Sequence, residues 1–309
     1  MFKSLKMLYM YIVHNKDKRK VCIRNKKDKN IYYIIRFNKK EGLLSIFFKA
    51  MAHIEYAEKK GYIPIIDMKK YSTMYTIKNK NAWNYFFSQP YFKEVDLEDI
   101  YTSKNYIVCG FEDDNKIFCN SLFGKYFAFN YEENAMKKEF IDARIVLNHE
   151  CELMLNDELG KIQVSDMLGV YIRGTDYVNL KPSGHPIQPN FEDIINKIDE
   201  FLKLYPEIKG IYLVTEDYEL YKKFKNKYCD LINVSFVDNF IKQEKNEYLY
   251  KQLKDMDKPE QARKYLVKIL ILARCKYLIS SITNGSVCAL AFNGDKYYDK
   301  YIFNLGLYD

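Results

Sequence analysis

The sequence predicts an α/β protein of two Rossmann-like halves, each carrying a parallel sheet. Three observations predict it. Apolar runs alternate with stretches of helical period, a strand–helix–strand unit opens the first half, and three strands of the second half end in polar clusters. A length of 309 residues suits two domains better than one, and a hydrophobic content of 48% is enough for real cores. A boundary near residue 160 gives an N-terminal domain over 1–160 and a C-terminal domain over 161–309.

In the first half, Ile31 to Phe37 is β-branched and aromatic and reads as a buried strand. Apolar residues at 43, 44, 47, 48, 51 and 54 then mark a helix from Leu43 to Lys60, which Gly61 closes. Tyr62 to Ile66 is the next strand and ends at Asp67. A polar, aromatic stretch follows. There Trp83, Tyr85 and Tyr91 either stack on a sugar or serve as ordinary core and surface aromatics. The acidic trio Glu112, Asp113 and Asp114 reads as a solvated turn.

In the second half, Met167 to Ile172 is a strand that runs into Arg173, and a loop with Pro182, Gly184, Pro186 and Pro189 follows. A helix from Phe191 to about Tyr205 aligns Ile194, Ile195, Ile198, Phe201 and Leu202. Gly210 to Val214 is a buried strand, Glu219 to Lys227 a helix, and Val234 to Val237 a short strand. Lys264 to Cys275 is an apolar helix, Tyr277 to Ser280 a strand, and a small-residue helix starts near Ser286. Ligands of open parallel sheets sit at the carboxyl ends of strands. The clusters at 173–176, 215–217 and 280–286 should therefore meet one ligand.

The formal charge of +8 invites a nucleic-acid partner, but only seven of the 49 basic residues are Arg, and they lie scattered among acids. The one dense patch, Lys16 to Lys20 with Lys26 and Lys27, belongs to no recognisable nucleic-acid module. No nucleic-acid partner is expected; a solvated surface, or loose association with an anionic membrane face, fits better. Seven Cys without a C-x-x-C point to a reducing, cytoplasmic compartment and to no zinc site. The run Met7 to Val13 is too short to span a bilayer, so no transmembrane segment is expected.

Arg173 stands just past an apolar strand, and no Arg follows it until Arg263. A fork-shaped, permanently charged guanidinium suits a diphosphate; a structural salt bridge with Asp176 or Glu216 is the other reading. Ser280 to Leu290 is a hydroxyl- and Gly-rich loop entering a helix, whose free N–H groups favour phosphate. N-capping by Thr283, Asn284 or Ser286 is compatible with that role. Asp176, Lys181 and His185 follow Arg173 within one loop. Asp176 either acts as a base or orients its neighbours, and His185 either contacts a ligand or makes a loop hydrogen bond. Asp255-Met256-Asp257 sits in a charged helical stretch and is not taken as a metal site.

Gly169-Val-Tyr-Ile-Arg-Gly-Thr-Asp-Tyr177 resembles the first donor-binding motif of the α-1,6-fucosyltransferases, the nodulation fucosyltransferases and their O-fucosyltransferase relatives, and the match runs on to His185-Pro186-Ile187. Gly210 to Asp217 is similar to the second conserved strand end of that group, and Tyr277 to Cys288 to its third motif. Glu41 to Ser45 and Gly61 to Asp67 resemble the opening unit of uncharacterised bacterial relatives. The resemblance implies a GT-B fold, in which two Rossmann-like domains face a central cleft. It also implies a GDP-fucose donor, an inverting, metal-independent transfer to a glycan acceptor, and no cofactor. Donor-binding positions would be Tyr171, Arg173, Gly174, Thr215, Glu216, Asp217, Thr283, Asn284, Gly285 and Ser286, with Arg173 and Asp176 catalytic and Lys181 and His185 as loop contacts. Four positions depart from the pattern. Gly174 replaces a second Arg, Lys181 the group's proposed catalytic Glu, Lys268 an Asp that contacts guanine, and Tyr171 a His. The expectation is a fucosyltransferase-like enzyme of surface polysaccharide synthesis. The alternatives are another nucleotide-sugar donor, or a non-catalytic protein that keeps the fold and binds a nucleotide or glycan.

Overall fold

The computed structural model describes residues 18–24, 30–92, 96–124, 131–173, 176–237 and 257–309. The chain divides into two units, Met1–Tyr126 with Ile141–Asn148, and Phe127–Phe140 with His149–Asp309. The division thus falls earlier than residue 160. The helix His149–Lys161 belongs with the second unit, where Arg263 Nη2 lies 2.6 Å from Glu150 Oε2. No Pro/Gly-rich linker marks this boundary in the sequence.

The first unit is built on a four-stranded sheet. Its strands are β1 (Lys20–Ile23), β2 (Tyr32–Ile35), β3 (Ile63–Ile66) and β4 (Asn105–Val108), in the order β1-β4-β2-β3. β2 pairs in parallel with β3 and β4, as a strand–helix–strand unit requires, while β1 is an antiparallel edge on β4. The crossover is α1 (Leu43–Lys59), whose apolar residues and His53 are buried. Gly61, at φ +69°, closes its C-terminus in the left-handed region that glycine enters without strain. Trp83 is fully buried, its ring stacked on Phe47 and its Nε1 donating to Ser88 O at 2.7 Å, so it is core rather than a sugar platform. Two helices went unread in the sequence, α2 (Leu97–Ser103) and α3 (Phe111–Cys119). α3 corrects the reading of the acidic trio. Glu112, Asp113 and Asp114 form its first turn, where the helix dipole favours negative charge, and Asp114 is buried.

Two further helices precede the second sheet, α4 (Tyr131–Asp142) and α5 (His149–Lys161). The second unit then runs β5 (Met167–Tyr171), α6 (Asp176–Leu180), α7 (Phe191–Leu204), β6 (Gly210–Val214), α8 (Tyr218–Tyr228), β7 (Asn233–Ser235), α9 (Lys258–Leu272), β8 (Tyr277–Ser281), α10 (Asn284–Asn293) and β9 (Asp299–Phe303). α6 replaces part of the expected loop, and β9 adds an edge strand. The sheet is parallel throughout, in the order β7-β6-β5-β8-β9. Every residue of β5, β6 and β8 is buried, which is why these strands read as unbroken apolar runs. α7 lays Ile194, Ile195, Ile198 and Phe201 on this sheet. The strand order reverses between β5 and β8, and open parallel sheets take their ligands at such a switch point, outside the carboxyl ends of the strands.

Lys16, Asp17, Lys26, Lys27, Met7 to Val13, Asp255 and Met256 lie outside the described residues. Asp257 caps α9 by accepting from Glu260 N at 3.1 Å. No helix among the described residues is long and apolar enough to cross a membrane.

Buried tyrosines give the fold a pH limit. Burial pushes Tyr75 up to about 12, partly offset by the hydrogen bond from Leu43 N, and it pushes Tyr171 up to about 12 as well. A folded pKa above the unfolded value of 10.0 means that the folded state holds its protons longer. That stability is fully present below about pH 10 and is lost as pH rises through about 12. Circular dichroism followed with phenolate absorbance should show unfolding beginning near pH 10. Exposed tyrosines such as Tyr298 ionise without unfolding, so ionisation of every tyrosine in protein whose circular dichroism is still native would contradict it.

Candidate functional site

The switch point collects residues from five elements of the second unit. β5 lies at the centre of its sheet, and Ile172 N still bonds Val214 O at 3.0 Å. Arg173 therefore emerges half-buried from a backbone fixed on both sides. Tyr171, the last residue of β5, is buried and lies 2.9 Å from the Tyr265 hydroxyl, oxygen to oxygen. Burial raises the Tyr171 pKa most, the Glu216 carboxylate raises it further, and Arg173 with the Tyr265 and Thr283 hydroxyls lowers it. Tyr265, on α9, is likewise held well above its ordinary value, by burial first and then by Tyr171 and Glu216. The charges of Arg173 and Glu216 thus both reach these two phenols, which burial keeps neutral.

The three residues at the end of β6 divide their roles. Thr215 is buried, and its Oγ1 accepts from Asp217 N at 3.2 Å. Asp217 caps α8, accepting from Glu219 N at 3.0 Å and Leu220 N at 3.1 Å. Glu216 is the member whose charge reaches Tyr171 and Tyr265.

The end of β8 enters α10 through a reciprocal capping box. Thr283 N donates to Ser286 Oγ at 2.9 Å, and Ser286 N donates to Thr283 Oγ1 at 3.2 Å. Both side chains are buried, so their hydroxyls serve the helix, and half-buried Asn284 is the more open residue of the turn. The positive end of the α10 dipole lies beside the end of β5. Gly285 is needed there for space. A Cβ at this position would lie 2.7–2.8 Å from the Tyr171 ring and hydroxyl, so only glycine lets the first turn of α10 close on the end of β5.

The loop side of the site is more dispersed. Gly174 lies outside the described residues, and Asp176 is the first residue of α6. Lys181 follows α6, exposed and at φ 41°. His185 is exposed, while its backbone bonds Pro182 O at 3.1 Å and Tyr308 N at 2.9 Å. Gln188 was missed in the sequence. It is buried, accepts from Ser281 Oγ at 2.5 Å and donates to Pro186 O at 2.9 Å, tying this loop to β8. A lone amide between Pro186 and Pro189 gave a faint signal; Tyr265, on the polar-looking start of a helix, gave none. Lys268 is buried on α9, and its carbonyl accepts from Tyr212 Oη at 3.3 Å.

Solved structures share this fold. The NodZ α-1,6-fucosyltransferase soaked with GDP-fucose matches with a TM-score of 0.50 at 13% identity, over 84% of this chain and 92% of that one. Fucosyltransferase NodZ from Bradyrhizobium matches with a TM-score of 0.50 at 14% identity over the same shares. POFUT1 in complex with GDP-fucose matches with a TM-score of 0.50 at 8% identity, over 91% of this chain and 99% of that one. No protein-family model and no curated protein matches the sequence. The chain therefore has the GT-B fold of the fucosyltransferases, and the similarity is one of fold.

The Gly285 contact predicts two alanine substitutions of opposite sign. Gly285→Ala forces the buried Tyr171 ring to move and should cost about 1–3 kcal/mol. Gly160→Ala, where a Cβ meets nothing within 4 Å on a helix, should stabilise by roughly 0.5–1 kcal/mol. Chemical denaturation of both variants checks this, and equal effects would remove the steric account.

Proposed function

We propose that the protein is a glycosyltransferase that binds a nucleotide-sugar donor at the switch point of the second unit, with GDP-fucose the first candidate, and transfers the sugar to a glycan acceptor. The observation that supports this reading is the arrangement at the ends of β5 and β8, where Tyr171 takes both the charge of Arg173 and the Thr283 hydroxyl at the start of α10. Two sources of positive potential, one a fixed guanidinium and one a helix dipole, suit a diphosphate that gains charge as it leaves.

In the transfer an acceptor hydroxyl attacks the anomeric carbon from the face opposite the diphosphate, which inverts that centre. The bond to the leaving oxygen breaks, its electron pair goes to the diphosphate, and a base takes the hydroxyl proton. Arg173 stabilises the leaving group without a metal ion, and Asp176 is the candidate base. Tyr171 and Tyr265, kept neutral by burial, add no negative charge beside the phosphates. Glu216, whose charge reaches the same two phenols, partly offsets that of Arg173. The setting that fits is a cytoplasmic enzyme of surface polysaccharide synthesis, at or near the membrane face.

A second donor class is favoured by one observation. Lys268 is a buried lysine where the resemblance places an Asp that contacts guanine, so base recognition follows another pattern. Thermal shift with GDP and UDP separates the two, and stabilisation by UDP alone would reject GDP-fucose. Donor binding without transfer or hydrolysis across an acceptor panel would mark a non-catalytic binder.

Arg173→Ala should lower donor turnover by about 10²–10³-fold with an unchanged fold, and Arg173→Lys should restore only part of it. Wild-type turnover in Arg173→Ala, with native circular dichroism, would sink the assignment.

A further inference from the structure

We infer that the first unit binds a divalent transition-metal ion of the zinc type through His53 Nε2, Cys109 Sγ and a carboxylate oxygen of Asp114. The three donor atoms come from the buried face of α1, the residue after β4 and the first turn of α3, and they lie within 4.8 Å of one another. His53, Cys109 and Asp114 are 1%, 0% and 6% exposed. One imidazole nitrogen, one thiolate and one carboxylate are the donors that zinc takes. With a neutral imidazole, the two anions balance a dication in an interior that tolerates no uncompensated charge.

The geometry separates this cluster from an ordinary buried ion pair. His53 Nε2 lies 3.3 Å from Asp114 Oδ1, yet that oxygen has no hydrogen-bond partner among the described residues. Leaving a buried carboxylate oxygen without a donor is costly. Two polar atoms that face each other without bonding are placed as two ligands of one ion are.

The surrounding contacts fit as well. Tyr33 Oη lies 3.0 Å from His53 Nδ1. When Nδ1 carries the proton and donates it to Tyr33, the Nε2 lone pair is free for a metal. Arg36 N donates to Cys109 Sγ at 3.3 Å, and the Cys109 thiol donates to Arg36 O at 3.6 Å, a bond it would give up on binding an ion as a thiolate. Bonds of about 2.0–2.3 Å would draw the widest pair together by roughly 1 Å. Either a water or the second Asp114 oxygen then completes four-coordination. A cavity of about 490 Å³ is lined by Ala52 and Asp113, the chain neighbours of His53 and Asp114, with Arg19 and Glu55 among others. The ion would fasten α1 to α3, a structural role independent of the donor site in the second unit.

The test uses the full chain, equilibrated with zinc and then passed into metal-free buffer. Elemental analysis should find a single zinc per chain, and Cys109→Ser and Asp114→Asn should each lose it. Cobalt(II) in place of zinc should give a near-ultraviolet thiolate charge-transfer band. That band should vanish in Cys109→Ser and persist in Cys119→Ser, whose thiol is exposed. A chelator should lower the wild-type Tm by several degrees and leave that of Asp114→Asn unmoved. Folded wild-type protein that retains no zinc, or a cobalt spectrum unchanged in Cys109→Ser, would overturn the proposal. Asp114→Asn keeps the side-chain volume, so the test stands even if Cys109→Ser does not fold.

Discussion

The approach of α10 to the end of β5 is the contact on which the second unit's site depends. Gly285 has no side chain, so the Tyr171 ring fills the space that a Cβ would occupy. That one packing event buries the Tyr171 hydroxyl beside Tyr265, brings a helix dipole to the switch point and leaves Arg173 at the rim. Burial then keeps both phenols neutral, so neither adds a phenolate to the surroundings of Arg173. Geometry comes first here, and the electrostatics follow from it.

The two units solve the same folding problem with different margins. In the second, five parallel strands and α7 make a continuous apolar core, so its strand ends are rigid supports for polar groups. In the first, the sheet is narrower, and the buried set includes His53, Asp67, Arg36 and Asp114. Arg36 is satisfied by Cys109 O at 2.8 Å and by the Phe111 and Tyr71 rings. Asp67 holds the Lys69 and Lys70 amides at 2.9 and 2.8 Å and the Tyr101 hydroxyl at 2.5 Å. Polar groups that would cost stability if left alone are here built into networks.

What the sequence disclosed followed burial. β5, β6 and β8 are buried on both faces, so their apolar runs and polar ends were plain, and with them Arg173 and Glu216. α1, with a broad apolar face, was equally clear. β1 is four residues long with only intermediate or exposed positions, and it left no pattern to see. α3 carries its three acids at the front, which imitates a turn until Asp114 is known to be buried beside His53. Tyr265, Gln188 and the His53–Cys109–Asp114 cluster share one cause of invisibility. Each is assembled by tertiary folding from positions far apart in the chain, where no local spacing can announce it.

The backbone pairing between residues 184–188 and 306–308 has a kinetic meaning. Gly184 N bonds Tyr308 O, Ile187 N bonds Gly306 O, and Pro186 bridges Leu307. These bonds close a loop that contains β6 through β9, the greater part of the second unit. Loop closure on that scale carries its entropic cost before any local reward. That cost favours late ordering of the segment bearing His185, after β9 has docked.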